Sequence, residues 1–290
     1  MTDRIRLLGV RGIGHHGVLD HEKRDGQEFV VDVEVEADLS VAGASDDLEA
    51  TVDYGAIGAD VLARIEGPAF DLIERLAEVV ADDVLVHPRV DRVSVTVHKP
   101  AAPVGVPFGD VQVTLTRTRP PVPVVIALGG NLGDVATVLD EVTMDLAEHV
   151  LTDVSTSGRY RTDPVGGPEQ PDYENRVLVG RTRLSAPSLL AALHRLEADH
   201  GRVREVRWGA RTLDLDLVTY GAPGGPGEVV SARPDLTVPH PRAHERGFVL
   251  IPWLEVDPHA RLRVGDEIVA VAELLTRVDG AGVRRLEGDR

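Results

Sequence analysis

The chain has 290 residues, and 31 Lys and Arg against 48 Asp and Glu give it a formal charge of −17. Its 42% hydrophobic and 27% charged residues are typical of a globular protein, and the length suggests two domains. The absence of cysteine excludes disulfides, thiolate metal sites and cysteine nucleophiles. With 3% aromatic residues and so negative a charge, we expect no nucleic-acid binding. The sequence also lacks a membrane-spanning apolar run and a signal peptide, so we expect a cytoplasmic protein without membrane contact.

Strand and helix patterns alternate over the first 119 residues. Residues 28–39 place apolar side chains on one face and mostly acids on the other, which is typical of a half-buried antiparallel strand. The remaining predicted elements are strands at 4–14, 90–98 and 110–118 and helices at about 53–66 and 71–86. This order predicts an α+β domain over residues 1–119.

A proline-rich segment follows this domain. Three prolines fall within residues 118–123, and because proline cannot continue a central strand, residues 120–123 are predicted to be a linker. A second, mixed α/β domain of ferredoxin-like complexity is expected over residues 124–290. Its predicted elements are strands at 124–128, 151–160, 175–183 and 211–220, helices at 134–148 and 186–200, and a peripheral helix with a frayed tail at 262–290.

Two carboxylates stand two positions apart in the predicted strand at 211–220. Asp214 and Asp216 therefore share one face, while the leucines between and beside them face the core. Such a pair suits Mg²⁺, which takes one or two carboxylates and substrate phosphates; a solvated acidic face is the alternative. Nearby arginines favour polyphosphate chemistry, although they could also pair with surface acids. These arginines are Arg202, Arg204, Arg207, Arg211, Arg242 and Arg246.

Lysine is rare in this chain, which contains only Lys23 and Lys99. Arginine cannot give up its proton whereas lysine can, so Lys99 is a candidate for proton exchange unless the two lysines remain by chance. Glu74 begins a predicted amphipathic helix, where a carboxylate either interacts with the helix dipole or binds a ligand. His15 and His16 are adjacent in an extended segment, and such neighbours make a poor metal chelate because they point to opposite faces.

The first domain resembles the dihydroneopterin aldolases over residues 3–118. The matching stretches are Gly14-His15-His16-Gly17-Val18-Leu19 with Glu22, Gly26-Gln27-Glu28-Phe29, Thr51-Val52-Asp53-Tyr54, Leu72-Ile73-Glu74-Arg75-Leu76-Ala77-Glu78 and Lys99-Pro100. The resemblance implies a tunnelling fold (T-fold) that assembles into a homo-tetramer or homo-octamer. It also implies cleavage of dihydroneopterin to 6-hydroxymethyldihydropterin and glycolaldehyde without a cofactor. The residues it assigns are catalytic Lys99, Tyr54 and Glu22, and pterin-binding Glu74, Leu72, Ile73 and Val52.

The second domain resembles the 6-hydroxymethyl-7,8-dihydropterin pyrophosphokinases from about Val124 to Val264. The matching stretches are Ala127-Leu128-Gly129-Gly130-Asn131-Leu132-Gly133, Tyr160-Arg161-Thr162, Gln170-Pro171-Asp172-Tyr173-Glu174-Asn175, Gly201-Arg202-Val203-Arg204, Arg207-Trp208-Gly209-Ala210-Arg211-Thr212-Leu213-Asp214-Leu215-Asp216 and Leu236-Thr237-Val238-Pro239-His240. The resemblance implies a ferredoxin-like α/β fold. It also implies transfer of the pyrophosphoryl group of ATP to the pterin hydroxymethyl oxygen, with release of AMP.

The second resemblance also implies site residues by position. Asp214 and Asp216 are expected to bind two Mg²⁺. The catalytic arginines are Arg202 and Arg211, and the ATP contacts are Glu197, Arg204, Arg207, His240 and Arg246. The pterin slot is formed by Thr162, Val165, Tyr173, Asn175, Trp208 and Phe248. The sequence departs from the family at Asp163, which replaces a usual proline, and in a shortened loop between Arg204 and Arg207.

Together the two resemblances imply consecutive folate-pathway enzymes in one chain, the product of the first being the substrate of the second. The alternative is a non-catalytic protein that keeps pterin and nucleotide pockets. Release of AMP from ATP in the presence of hydroxymethyldihydropterin distinguishes these possibilities.

Overall fold

The structure is a computed structural model that describes residues 3–163, 170–201, 211–278, 280 and 282–286. The chain divides into two compact units, Met1–Pro120 and Pro121–Arg290. No helix in the described ranges is long and apolar enough to cross a bilayer. The mixed helix and sheet content of both units confirms the predicted α+β class.

The N-terminal unit is an antiparallel sheet covered on one face by helices. Its described strands lie in the order β1-β2-β3-β4. The strands are β1 (Asp3–Gly14), β2 (Gln27–Ala37), β3 (Arg92–His98) and β4 (Gln112–Thr118), and the helices are α1 (Asp20–Asp25), α2 (Ser40–Ser45), α3 (Tyr54–Ile65) and α4 (Ile73–Val86). The alternation predicted for β2 is confirmed, since every second residue from Phe29 to Ala37 is buried in the core beneath α3 and α4. Gly14 opposes Gln27 and Val30 opposes His98, so the end of β1, the start of β2 and the end of β3 meet at one end of the sheet.

The C-terminal unit contains a larger antiparallel sheet with helices on both faces. Its described strands lie in the order β14-β7-β8-β5-β9, and β6 also pairs with β8. The strands are β5 (Val122–Gly130), β6 (Thr152–Thr156), β7 (Tyr160–Thr162), β8 (Tyr173–Thr182), β9 (Asp214–Tyr220), β10 (Ser231–Arg233), β11 (Leu236–Val238), β12 (Arg261–Val264), β13 (Glu267–Ala270) and β14 (Val283–Arg285). The helices are α5 (Val135–His149), α6 (Ala186–Asp199), α7 (Gly247–Val256) and α8 (Val271–Leu275).

Alternating residues of β5 sort the core of this unit into two layers. Val124, Ile126 and Leu128 pack with residues of α5 and α6, whereas Val125 and Ala127 pack with residues of α7 and α8. The leucines that flank Asp214 and Asp216 belong to the α5 and α6 layer. Both carboxylates therefore project to the face that carries α7, as the strand spacing predicts.

The segment predicted as a peripheral helix with a frayed tail at 262–290 differs from that prediction in its described residues, of which only α8 is helical. Residues 261–270 form the hairpin β12-β13, in which Val264 opposes Glu267 across the two-residue loop Gly265-Asp266. A glycine with positive φ at Gly265 suits such a tight turn, and the alternating residues beside it are the signal that the sequence reading missed. After the short helix α8, strand β14 joins the main sheet beside β7.

Two further boundaries differ from the predictions. The strand predicted at 151–160 is two strands, β6 and β7, separated at Ser157–Arg159. The strand predicted to start at 124 begins at Val122, inside the expected linker. Pro123 is tolerated because it lies near the start of the strand, where β5 pairs with β8 before its pairing with β9 begins.

Candidate active sites

A buried ion pair lies at the end of the N-terminal sheet where β1, β2 and β3 meet. Lys99 directly follows β3 and is 7% exposed, and Glu22 on α1 is 3% exposed. Lys99 Nζ donates to Glu22 Oε1 at 2.5 Å and lies 3.4 Å from the carbonyl oxygen of His16. The structure thus brings together two of the residues predicted to be catalytic. Removing one partner of such a buried ion pair lowers the stability of the fold strongly, because the other charge is left buried without compensation.

Further donors fix the Glu22 carboxylate in place. Oε2 accepts the Leu19 backbone N–H at 3.0 Å, and Oε1 also accepts Gln27 Nε2 at 3.2 Å. Burial opposes ionisation of Glu22, but the hydrogen bonds from Lys99 and Leu19 outweigh it and leave its pKa below the ordinary value of 4.5. Gly17 has φ +146°, and a Cβ there would lie 2.3 Å from Glu22 Oε2, so only glycine leaves room for the carboxylate.

Both ring nitrogens of His16 are engaged in hydrogen bonds within this site. Its buried ring accepts the Phe70 N–H at Nδ1 (3.1 Å) and donates from Nε2 to the Ile65 carbonyl (2.9 Å). Burial lowers the pKa of His16, so the ring is held neutral. His15 instead lies 3.0 Å from the Lys23 carbonyl oxygen, and the two rings face different partners, as expected of neighbouring residues in an extended segment.

The remaining predicted aldolase residues lie at the starts of two helices. Tyr54 is the first residue of α3 and is 58% exposed, and Glu74 lies exposed in the first turn of α4. In the described part of the chain, neither is hydrogen-bonded or ion-paired to Lys99 or Glu22. Among the predicted pterin neighbours, Val52 and Ile73 are buried and Leu72 is exposed.

In the C-terminal unit, the strand register places a predicted pterin-binding residue and a predicted metal ligand in one transverse row, that is, a line of residues directly opposed across neighbouring strands. Asn175 on β8 and Asp214 on β9 both oppose Gly129 on the central strand β5. Asn175 Nδ2 donates to Thr162 Oγ1 at 2.8 Å, and a Cβ at Gly129 would lie 2.7 Å from Asn175 Oδ1. Gly129 therefore provides the space that the buried Asn175 amide occupies.

Each predicted metal ligand lies beside a predicted phosphate-binding arginine. Arg211 Nη1 donates to Asp214 Oδ2 at 2.5 Å, and Arg246 Nη1 donates to Asp216 Oδ2 at 3.1 Å. His240 Nε2 is 3.7 Å from the same Asp216 oxygen. Burial lowers the pKa of His240, while Asp216 opposes and Arg246 reinforces the shift. A cavity of about 120 Å³ is lined by both aspartates together with Glu197, His240 and His194.

The donor set suits a hard cation that shares its coordination with substrate. Within the described ranges, no group of three or more His, Asp and Glu side chains could enclose a metal by itself. Asp214 and Asp216 instead offer two carboxylates on one face, and Mg²⁺ typically takes that number and completes its shell with water and phosphate oxygens. The neighbouring arginines offset the repulsion between the two carboxylates.

Other predicted residues have structural contacts or fall outside the described ranges. Glu197 is buried on α6 and accepts the Leu215 N–H at 2.7 Å, which ties the helix to β9. Tyr173 Oη donates to Gln170 Oε1 at 3.2 Å, and the Phe248 ring lies 5.5 Å from the Arg246 guanidinium carbon. Val165, Arg202, Arg204, Arg207 and Trp208, with the shortened loop, lie outside the described residues.

Asn131 is a site residue that the sequence analysis did not single out. Its buried side chain donates to the Pro171 carbonyl (3.0 Å) and to Gln170 Oε1 (3.2 Å) and accepts the Arg211 N–H (2.8 Å). It therefore joins the end of β5 to the segments that carry Tyr173 and Arg211. The signal was available, because Asn131 directly follows the glycine pair at the end of an apolar strand.

Comparison with known proteins assigns each unit to a family. Residues 5–116 match the family model for dihydroneopterin aldolase, and residues 125–258 match that for 7,8-dihydro-6-hydroxymethylpterin-pyrophosphokinase. A dihydroneopterin aldolase of Streptomyces coelicolor is 48% identical over 40% of this chain and 98% of its own length. A 2-amino-4-hydroxy-6-hydroxymethyldihydropteridine pyrophosphokinase of Mycobacterium leprae is 41% identical over 54% of this chain and 83% of its own. The crystal structure of E. coli dihydroneopterin aldolase in complex with neopterin is 32% identical over 40% of this chain and 98% of that chain, with a TM-score of 0.38.

The chain thus covers almost the whole of the Streptomyces coelicolor aldolase and most of the Mycobacterium leprae pyrophosphokinase. The pyrophosphokinase match implies the use of ATP, and both matches imply pterin substrates. The chain therefore belongs to the dihydroneopterin aldolase family through its N-terminal unit and to the hydroxymethyldihydropterin pyrophosphokinase family through its C-terminal unit, and it is a bifunctional enzyme of folate biosynthesis.

Proposed function

We propose that the two units act in sequence on one pterin. The N-terminal unit cleaves the side chain of 7,8-dihydroneopterin and releases glycolaldehyde. The C-terminal unit then transfers the pyrophosphoryl group of ATP to the 6-hydroxymethyl-7,8-dihydropterin so formed, and AMP leaves. The presence of both families in one chain carries this proposal, because the product of the first reaction is the substrate of the second.

In the aldolase reaction, Lys99 moves protons to and from the substrate side chain through a bound water. Glu22 keeps Lys99 in place, and the 2.5 Å contact between them is the observation that supports this assignment. Tyr54 is the second acid/base group. Glu74 binds the guanidine-like edge of the pterin with both carboxylate oxygens, beside Val52, Leu72 and Ile73. The dihydropterin ring itself accepts the electrons released on cleavage, so the reaction needs no cofactor.

Assembly into a homo-tetramer or homo-octamer completes this site. Tyr54 and Glu74 are exposed at helix starts, and β1 and β4 each have one neighbour among the described strands. Backbone groups left unpaired along such edges are commonly satisfied by another copy of the chain. Large apolar side chains are also exposed on this unit, namely Leu8, Ile13, Val18, Leu48, Leu72 and Val86. Tyr54 then reaches the pterin from the neighbouring subunit.

In the pyrophosphokinase reaction, Asp214 and Asp216 would hold two Mg²⁺, and the bound metal would offset the negative charge of the ATP phosphates. Arg211, with Arg202, stabilises charge on the transferring group. The other ATP contacts are Glu197, Arg204, Arg207, His240 and Arg246. The pterin lies among Thr162, Val165, Tyr173, Asn175, Trp208 and Phe248, with the Asn175 amide reading its polar edge. This arrangement is supported by the register of the sheet, in which the proposed pterin contact Asn175 and the proposed metal ligand Asp214 oppose the same residue of β5.

Separate assays of the two reactions on the purified chain test the proposal. Formation of glycolaldehyde from dihydroneopterin reports the first reaction. Formation of AMP from ATP and hydroxymethyldihydropterin reports the second. A chain that binds pterin and ATP but forms neither product would be a non-catalytic binding protein, contrary to the proposal.

A further inference from the structure

The transverse row that contains Asn175 continues into the C-terminal strand. Tyr160 on β7 opposes Asn175, and Arg285 on β14 opposes Tyr160. Directly opposed residues of antiparallel strands project to the same face, so all three side chains stand on the face that carries α7. Strand β14 lies beyond residue 258, where the match to the pyrophosphokinase family model ends.

A carboxylate on α7 connects the elements at this end of the row. Glu255 Oε2 accepts the Tyr160 hydroxyl at 2.9 Å and the Gly158 N–H at 3.2 Å, and Glu255 Oε1 accepts Arg285 Nη2 at 2.6 Å. Tyr160 is 7% exposed, and burial together with the Glu255 carboxylate raises its pKa to about 12. The phenol therefore stays protonated and donates its hydrogen bond over the whole working pH range.

The position of β7 decides where Thr162 lies. This strand spans only Tyr160–Thr162, and it lies between β8 and β14. Thr162 Oγ1 accepts the hydrogen bond that fixes the Asn175 amide. Because so short a strand has few ladder bonds of its own, a charge-assisted bond from its buried tyrosine contributes much to its placement.

We propose that Tyr160 and Glu255 are positioning residues of the pyrophosphokinase: their hydrogen bond, supported by Arg285 of the C-terminal strand, holds β7 so that Thr162 orients the Asn175 amide toward the pterin. This inference rests on the pterin pocket proposed above. Its effect is confined to pterin binding, because Asp214 lies three strands from Tyr160 along the row, roughly 14 Å at the usual spacing.

The test compares Tyr160→Phe with Tyr220→Phe in the full chain by steady-state kinetics. Tyr220 is a matched control, since it is also buried, donates its hydroxyl to the Leu184 carbonyl at 2.7 Å, and packs in the α5 and α6 layer. We expect Tyr160→Phe to raise KM for hydroxymethyldihydropterin about three- to tenfold, with kcat and KM for ATP near wild type. Tyr220→Phe should leave all three constants near wild type. An unchanged pterin KM in Tyr160→Phe overturns the proposal, and so does an equal disturbance by both variants.

Asn175→Ala separates this inference from the pocket assignment on which it rests. This variant removes the proposed pterin contact itself, so its pterin KM should rise whatever Tyr160 does. A raised KM in Asn175→Ala with an unchanged KM in Tyr160→Phe overturns the positioning role and leaves the pocket in place. An unchanged KM in Asn175→Ala overturns the pocket assignment, and the inference with it.

Discussion

Asn175 and Asp214 lie on opposite sides of the same glycine, Gly129, in adjacent ladders of the C-terminal sheet. Their strands are two spacings apart, which places the two backbones roughly 10 Å from each other. The central strand β5 thus lies between Asn175, whose amide can hydrogen-bond to a heterocycle, and Asp214, whose carboxylate can bind a metal. Both side chains project to the face that carries α7, so a pterin at Asn175 and a metal-bound phosphate at Asp214 would lie on the same face of the sheet.

Replacing either carboxylate should abolish most pyrophosphoryl transfer. Asp214→Asn or Asp216→Asn leaves phosphate charge uncompensated, and we expect AMP formation to fall by about a hundredfold or more. Glycolaldehyde formation from dihydroneopterin is the internal control and should stay near wild type. Wild-type AMP formation in both variants would show that these aspartates hold no catalytic metal.

Filling the space at Gly129 should weaken pterin binding. An added Cβ lies 2.7 Å from Asn175 Oδ1 and displaces the amide, so Gly129→Ala should raise KM for hydroxymethyldihydropterin about three- to tenfold, as expected for one lost hydrogen bond. Gly43→Ala is the control, because a Cβ there meets no atom within 4 Å. Equal pterin KM values in both variants would contradict the assignment of Asn175.

Lys99→Arg should lose most aldolase activity while the pyrophosphokinase activity remains. Arginine keeps the positive charge near Glu22 but cannot exchange its proton at working pH. Initial rates of glycolaldehyde formation measure the effect, AMP formation shows that the C-terminal unit is intact, and circular dichroism with denaturant unfolding checks that the N-terminal unit is folded. Near-normal aldolase rates in this variant would mean that Lys99 acts only as a fixed cation.

The buried ion pair should make the stability of the N-terminal unit depend on pH. The pKa of Glu22 is lower in the folded chain than the ordinary 4.5, so its contribution is complete above pH 4.5 and is lost as pH falls through the folded value. Lys99→Met leaves the carboxylate buried without its partner and should cost about 3–5 kcal/mol of unfolding free energy at pH 7. Denaturant unfolding at pH 7 and below pH 4 measures both effects. The penalty should shrink at the lower pH, and a pH-independent penalty would contradict the ion-pair account.

Mixing two inactive variants should restore aldolase activity if the site lies between subunits. Tyr54→Phe and Glu74→Ala are each expected to be inactive. In an equal mixture, about a quarter of the interfaces should combine an intact Tyr54 with an intact Glu74. Recovery on co-refolding, measured as glycolaldehyde formation, supports the oligomer. Full aldolase activity in a strictly monomeric wild-type chain would contradict it.

Local patterns in the sequence predict much of this architecture. The alternation in β2 and the leucines around Asp214 each specify a buried face, because side-chain direction follows directly from strand period. The pairing of Asn175 with Gly129 does not follow from either segment alone, since register depends on the whole sheet. Strand β14 beside β7 was not predicted either, because three residues carry too little pattern to identify a strand.

Side-chain contacts show a similar division. The scarcity of lysine pointed to Lys99, but its burial against Glu22 and the carbonyl of His16 depends on residues far apart in the sequence. The glycine pair before Asn131 marks this residue in the sequence, but its contacts with Pro171 and Arg211 likewise depend on residues far apart in the chain.

The measurement that tests the central claim most directly follows AMP formation by the purified chain supplied with 7,8-dihydroneopterin, ATP and Mg²⁺. The wild-type chain should form AMP after a lag, with glycolaldehyde formed in at least equal amount, because the second reaction needs the product of the first. Lys99→Arg should form little AMP from dihydroneopterin but wild-type amounts from 6-hydroxymethyl-7,8-dihydropterin. AMP formation from neither pterin by the wild-type chain would contradict the account.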